Sequence, residues 1–314
     1  MKIEVLSSGR IAPSLSSPHP HPVALLGANA PELQKWIKEP RLRRASAISS
    51  YMMEAAHQAL EAAPGIDRSR VGVIASFFLR CMVYTVRFYK QITEDGRRYA
   101  SPILFPETVF NTPVSHLVST LGLGGPVYSL VGDKSCWATA LRTAECWLRL
   151  GSADHVLVLG AEEFDPQVLE AMRSTGLYSD GMVIGEGAGA LLLTSQVNGQ
   201  RVQLAGVADG YGFANKAQAH DAARDSLAQF PDNPPILSTA TSWTRSVEAS
   251  VTKGRLLSGT SEPSCEAFTA RAAWDTLDGI ELLKEKNLKR LVIPYWGLTQ
   301  QFGSACFAQP EALS

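Results

Sequence analysis

SPILFPETVFNTPVSHLVSTLGLGGPVYSLVGDKSCWATALRTAECWLRLGSADHVLVLGAEE, residues 101–163, sets the architecture of this chain. It predicts a helix, a tight Gly-Gly-Pro turn at 124–126, a short buried strand at 127–131, a sharp Gly132-Asp133 turn, a long helix and a second buried strand from His155. A strand tip driven straight into a helix leaves unpaired backbone N–H groups and the positive end of the helix dipole aimed at one point. The turn around Asp133 is therefore the candidate site.

On either side, strand and helix patterns alternate. Residues 2–6 and 70–76 predict strands, and 43–63 a helix with Ile48, Met52, Ala56 and Leu60 on one face before the Pro64-Gly65 stop. Residues 77–93 predict an amphipathic interface helix with aromatic side chains between Arg80, Arg87 and Lys90. The glycines at 185, 187 and 189 run into three leucines, so a strand with close backbone packing is expected rather than a phosphate cradle. Further strands are predicted at 202–207, 235–241, 291–294 and 304–308, and helices at 215–230 and 266–285. The pattern implies α/β layers with a mostly parallel sheet, and it occurs roughly twice, before and after residue 195.

Composition narrows the function classes. The chain has 314 residues, 45% hydrophobic and 19% charged, with a formal net charge of -1. Low charge content implies extensive burial or an interface, and the neutral balance gives no footprint for nucleic acid or an anionic membrane. No apolar run is long enough to span a bilayer and no signal-peptide core is present, so a cytoplasmic protein is expected. Five scattered cysteines without paired spacing predict neither disulfides nor a zinc site. His19 and His21, in the proline-rich 16–22 loop, lack further ligands, so no metal and no cofactor is expected.

The same stretch, with GEGAGALLL at 185–193 and PYWGLTQQFGSACF at 294–307, resembles the β-ketoacyl synthases of fatty-acid and polyketide assembly. The resemblance implies a thiolase-like five-layer αβαβα fold of two fused similar halves, here residues 1–195 and 196–314. It further implies that the condensing cysteine stands nine residues after the glycine of the Gly-Pro turn and seventeen before that of Gly-Ser-Ala-Asp. Counting from Gly125 and from Gly151 both reach Lys134. A thiolate is stabilised at a helix N-terminus; an ammonium there is disfavoured unless Asp133 or a partner carboxylate neutralises it. An acyl-lysine amide would be too stable to turn over. Cys136 is the alternative nucleophile, but positions two apart on a helix diverge by about 200°.

The resemblance also implies two histidines in the second half that hold the thioester carbonyl. No histidine follows His220, and Ala240 and Phe268 (or Ala267) fall where they are expected. His116 matches a structural position beneath the site. Leu298 belongs to a segment like the family's gate loop, yet Thr299 and Gln300 replace its glycines, so a fixed, bulky loop is expected. The expected pocket thus comprises Asp133, Ser135, His116, Ala240, Phe268 and Leu298 around Lys134.

An intact scaffold without the Cys-His-His set resembles a chain-length factor, a non-catalytic partner of an active ketosynthase. The resemblance implies pairing through residues 127–131, with a ketosynthase or with itself, and an acyl tunnel wall at 77–88 and 105–110. Acyl carrier protein would engage through the partner. The short 165–180 segment fits a reduced subunit. Two alternatives stay open: an acyl-condensing or acyl-transfer enzyme using Cys136 or Lys134 with Thr241, Ser242 or Thr244 in place of histidine, and a thiolase-fold protein with a structural or regulatory role.

Overall fold

The computed structural model describes residues 1–14, 23–26, 30–79, 82–178, 182–240, 244–258 and 265–310. The 16–22 loop with its two histidines, and Thr241 and Ser242, lie outside the described residues. Ten strands build the core: β1 Glu4–Ile11, β2 Val71–Phe77, β3 Val127–Val131, β4 His155–Glu162 and β5 Gly187–Thr194, then β6 Gln203–Val207, β7 Ile236–Leu237, β8 Leu256–Leu257, β9 Arg290–Trp296 and β10 Gln301–Ala308. The first five run in the order β3-β2-β4-β5-β1 and the second five in the order β8-β7-β9-β10-β6. Both sets have the same directions: the first three strands in that order are parallel, the fourth is antiparallel to both its neighbours, and the fifth runs with the first three. A single pair, Glu4 with Gln203, joins the sheets. We propose the division at residue 195 because it separates the two repeats.

The sheets are mixed, not mostly parallel. β5 lies antiparallel between β4 and β1, and β10 lies antiparallel between β9 and β6, following β9 through a turn too tight for a parallel crossover.

Eight helices complete the layers: α1 Ala47–Glu61, α2 Met82–Lys90, α3 Thr112–Leu121, α4 Cys136–Arg149, α5 Pro166–Ser174, α6 Lys216–Leu227, α7 Thr244–Thr252 and α8 Phe268–Glu285. Strand alternation assigns the faces. Ile74 of β2 packs inward with Trp137, Leu141 and Ala144 of α4 and with Ala273 and Leu277 of α8. Its neighbours Val73 and Ala75 pack outward with Met52 and Ala56 of α1 and with Leu117 of α3. On the second sheet Leu291 and Ile293 face the same centre, while Val292 faces Ala219 and Ala223 of α6 and Val247 of α7. The result is helix, sheet, helix, sheet, helix. Trp137 donates to Thr276 Oγ1 at 2.8 Å, which lies 2.9 Å from the Tyr295 hydroxyl, so these three buried polar side chains of the central layer are paired.

Two glycines are required by close approach. A Cβ at Gly189 would collide with Ala273, and Gly187, at φ 141°, lies against the Ile11 carbonyl and the Trp274 ring. The leucines that follow continue as β5, so the glycine-rich segment packs helix against strand.

One expectation fails. β3 was expected to be buried, yet it is the edge of its sheet, with Val127, Tyr128 and Val131 exposed. An apolar run alone does not distinguish a strand covered by its own chain from one left for a partner. The 77–93 helix is α2, whose residues are all at least partly exposed. The second-half helix begins at Phe268, leaving Glu266 in the preceding loop.

Candidate functional site

The site forms where the β3–α4 turn meets two loops of the second half. α4 buries Trp137, Ala140, Leu141, Ala144 and Leu148, a helical stripe that sets its rotation. Its N-terminus is ordered by Asp133, whose Oδ1 accepts from the Ser135 backbone N–H at 3.1 Å and lies 2.9 Å from Ser135 Oγ.

Lys134 is buried, and its ammonium lies 2.5 Å from Glu266 Oε2, itself buried. Glu266 is held from three directions. Its N–H donates to Val183 O at 2.7 Å, its carbonyl accepts from Gly185 N–H at 2.8 Å, and its Oε1 accepts from Phe268 N–H at 2.8 Å. The neutralising carboxylate is therefore Glu266, not Asp133, which is committed to Ser135 and Thr299. Sequence reasoning missed Glu266 because that segment was read for histidine. The available signal was a carboxylate at 266, in the loop assigned to the second histidine.

Cys136 starts α4 half-buried, with its Cβ and Sγ against Gly132. Burial, with the carboxylates of Asp133 and Glu162 nearby, pushes its thiol up to about 12. This is the reverse of an activated thiolate. At pH 8 about one thiol in ten thousand would be ionised.

Phe268, Leu298 and Phe78 converge in one apolar cluster with Met172 and Phe164. Phe268 sits at φ 46°, its ring centroid 5.0 Å from that of Phe78. Ala240 is buried, and its N–H donates to Glu248 Oε1 at 3.2 Å, an oxygen that also accepts from Trp296 Nε1 at 3.1 Å. Thr244, a candidate stand-in for histidine, is buried at the start of α7. His116 is held elsewhere: its Nε2 lies 3.0 Å from Glu107 Oε1, on α3 in the outer layer. Among the described residues, no hydrogen bond or ion pair joins any imidazole to Lys134, Glu266, Asp133 or Cys136. The group brought together is thus Asp133, Lys134, Ser135, Glu266, Phe268 and Leu298, with His116 and Ala240 in separate clusters.

Beneath this group lies Glu162, at the end of β4. It accepts from Phe78 N–H at 2.6 Å, Leu79 N–H at 3.1 Å and Thr269 Oγ1 at 3.0 Å. Burial outweighs these donors and pushes its carboxyl up to about 8. Its folded pKa is raised, so the stabilisation is complete below the unfolded value near 4.5 and is lost as pH rises through about 8. The thermal midpoint is expected to fall by about 5 °C or more between pH 6 and pH 9, and Glu162→Gln to flatten that slope. An unchanged slope in scanning calorimetry would remove Glu162 as its source.

With this geometry in place, comparison with known proteins assigns the lineage. The family profile for the β-ketoacyl synthase N-terminal domain matches residues 26–198, more than half of the chain. The chain belongs to the β-ketoacyl synthase family. It is 27% identical over 205 residues to the chloroplastic 3-oxoacyl-[acyl-carrier-protein] synthase I of Arabidopsis thaliana, a match covering 57% of this chain and 43% of that protein. The matched region thus spans less than half the length of that relative. Among solved structures, the ishigamide ketosynthase/chain length factor superposes with a TM-score of 0.79 at 13% identity, covering 98% of this chain and 99% of the other. A type II polyketide synthase acyl-carrier protein complex with its ketosynthase bound to the hexaketide gives 0.78 at 15% identity, again over 98% and 99%. At these identities the likeness establishes the thiolase-like fold. Among the described residues, no helix is long and apolar enough to cross a membrane.

Proposed function

We propose that this β-ketoacyl synthase family member does not itself condense acyl groups, and that it pairs with an active ketosynthase as a chain-length-factor-type subunit in fatty-acid or polyketide assembly. The observation that carries this reading is the buried Lys134–Glu266 ion pair, at the residue where the register expects the nucleophile. An ammonium engaged by a carboxylate has no free electron pair to attack a thioester, and an acyl-lysine amide would not turn over. Cys136 offers no rescue, since its thiol holds its proton at physiological pH.

The exposed face supports a partner. β3 presents Val127, Tyr128 and Val131, and Phe105 and Phe110 are exposed near α2, with the Phe105 ring 5.6 Å from that of Phe88. An apolar edge strand, like a cluster of exposed aromatic rings, is a liability in a lone chain and an interface in a pair. In that pair the rings would wall the acyl tunnel, and the acyl carrier protein would deliver its chain to the partner's cysteine. A cytoplasmic setting belongs to the same proposal.

The test is co-expression with a ketosynthase that keeps its Cys-His-His set, followed by product analysis with acylated carrier protein. The pair is expected to co-purify, to form product only with the ketosynthase cysteine intact, and to be unaffected by Cys136→Ser. An acylated Cys136 peptide in mass spectrometry would overturn the proposal and favour a condensing enzyme with unusual residues. Failure to co-purify with any ketosynthase would favour a structural role.

A further inference from the structure

We infer that residues 133–135 and 297–301 form a latch that holds the interior of this chain shut. The inference deepens the reading above and rests on it, since a chain that loads no acyl group has no use for a moving gate. Asp133 is 1% exposed and no cation pairs with it among the described residues. Its charge is satisfied by donors: Ser135 on one oxygen, and on the other Thr299, whose N–H lies at 2.7 Å and whose hydroxyl also donates.

The loop is held on its other sides too. Gly297 N–H donates to Gln301 O at 2.8 Å, closing the β9–β10 turn, and Phe213 N–H donates to Gln300 O at 2.9 Å. A Cβ at Gly297 would collide with the Asp133 carboxylate, so the backbone lies flush against the charge. Leu298 anchors the loop in the Phe268–Phe78 cluster. Ser135 Oγ sits between Asp133 Oδ1 and the Gln301 side-chain oxygen, 3.1 Å away. Ser135 and Gln301 also line a cavity of about 400 Å³ with Thr139, Arg142 and Tyr211. Two residues of the latch, Ser135 and Gln301, thus also form part of the wall of this cavity. Swinging the loop out would break both Thr299 hydrogen bonds to the Asp133 carboxylate and withdraw Leu298 from its apolar cluster.

Hydrogen exchange on the full chain, read by mass spectrometry, tests this without a partner. Within the 298–301 peptide the Thr299 amide, bonded to Asp133, is expected to exchange at least about 100-fold more slowly than the Gly65 and Ile66 amides of the turn after α1. Thr299→Ala and Asp133→Asn should each speed exchange there at least tenfold, leaving β2 and β4 unchanged. Exchange in the unaltered chain as fast as at 64–66, or exchange at 298–301 unmoved by Thr299→Ala, overturns the latch. Circular dichroism checks that Asp133→Asn folds, and Thr299→Ala decides the matter if it does not. Failure to pair with a ketosynthase, with slow exchange intact, would sink the subunit reading and leave the latch standing.

Discussion

Lys134→Ala is expected to destabilise the chain by about 3–5 kcal/mol, because it strands the Glu266 carboxylate in a site that excludes water. Glu266→Ala should cost a similar amount by stranding the ammonium. Either loss corresponds to a fall of roughly 10 °C in the thermal midpoint. The double variant Lys134→Met with Glu266→Leu removes both charges and keeps the volume. Buried ion pairs replaced this way often come out neutral or more stable, so the double variant should recover to within about 1–2 kcal/mol of the unaltered chain. Urea denaturation of the unaltered chain, Lys134→Met, Glu266→Leu and the double variant that combines those two closes the cycle. Additive losses would mean that the two side chains do not share one energetic unit, and the site would need another account. The cycle also separates stability from function. A double variant that folds and still supports the ketosynthase partner would show that the pair fills the site without performing chemistry.

The second large effect concerns the β3 edge. Val131 is 57% exposed, so Val131→Asp should change the stability of the free chain by no more than about 0.5 kcal/mol. In a complex paired through β3 the new carboxylate would be buried without a partner, and binding should weaken at least about 100-fold, equivalent to about 2.7 kcal/mol. Co-purification and light scattering read this directly. A Val131→Asp chain that pairs as well as the unaltered one would move the interface away from β3. The same substitution reports on self-association, because an edge-to-edge homodimer would place two such carboxylates near its axis.

The two predictions bear differently on what could be read beforehand. The short continuous apolar run at Val71–Phe77, and helical spacing at Trp137, Leu141, Ala144 and Leu148, are local patterns, and they placed these elements within a few residues. The register to Lys134 came from the family resemblance, which implies the nucleophile's offset from each of two turns. Glu266 could not be assigned, because its role depends on a contact across 132 positions that no local pattern encodes. The edge position of β3 was hidden from the apolar pattern, since the residues that bury one strand and expose another are equally apolar, and only the family resemblance pointed to pairing through 127–131.

By itself, the sequence determined the alternation of strands and helices, the residue at the head of α4 and the absence of imidazole in the second half beyond His220, because periodicity, turn chemistry and residue identity are properties of the chain taken in order, while the five-layer αβαβα stacking was what the family resemblance implied. Only the tertiary structure decided that Lys134 is neutralised by Glu266, that Asp133 ties down the 297–301 loop and that Phe268 and Leu298 close over the site. These depend on which loops meet, and burial then makes the carboxylate within reach the one that must pair.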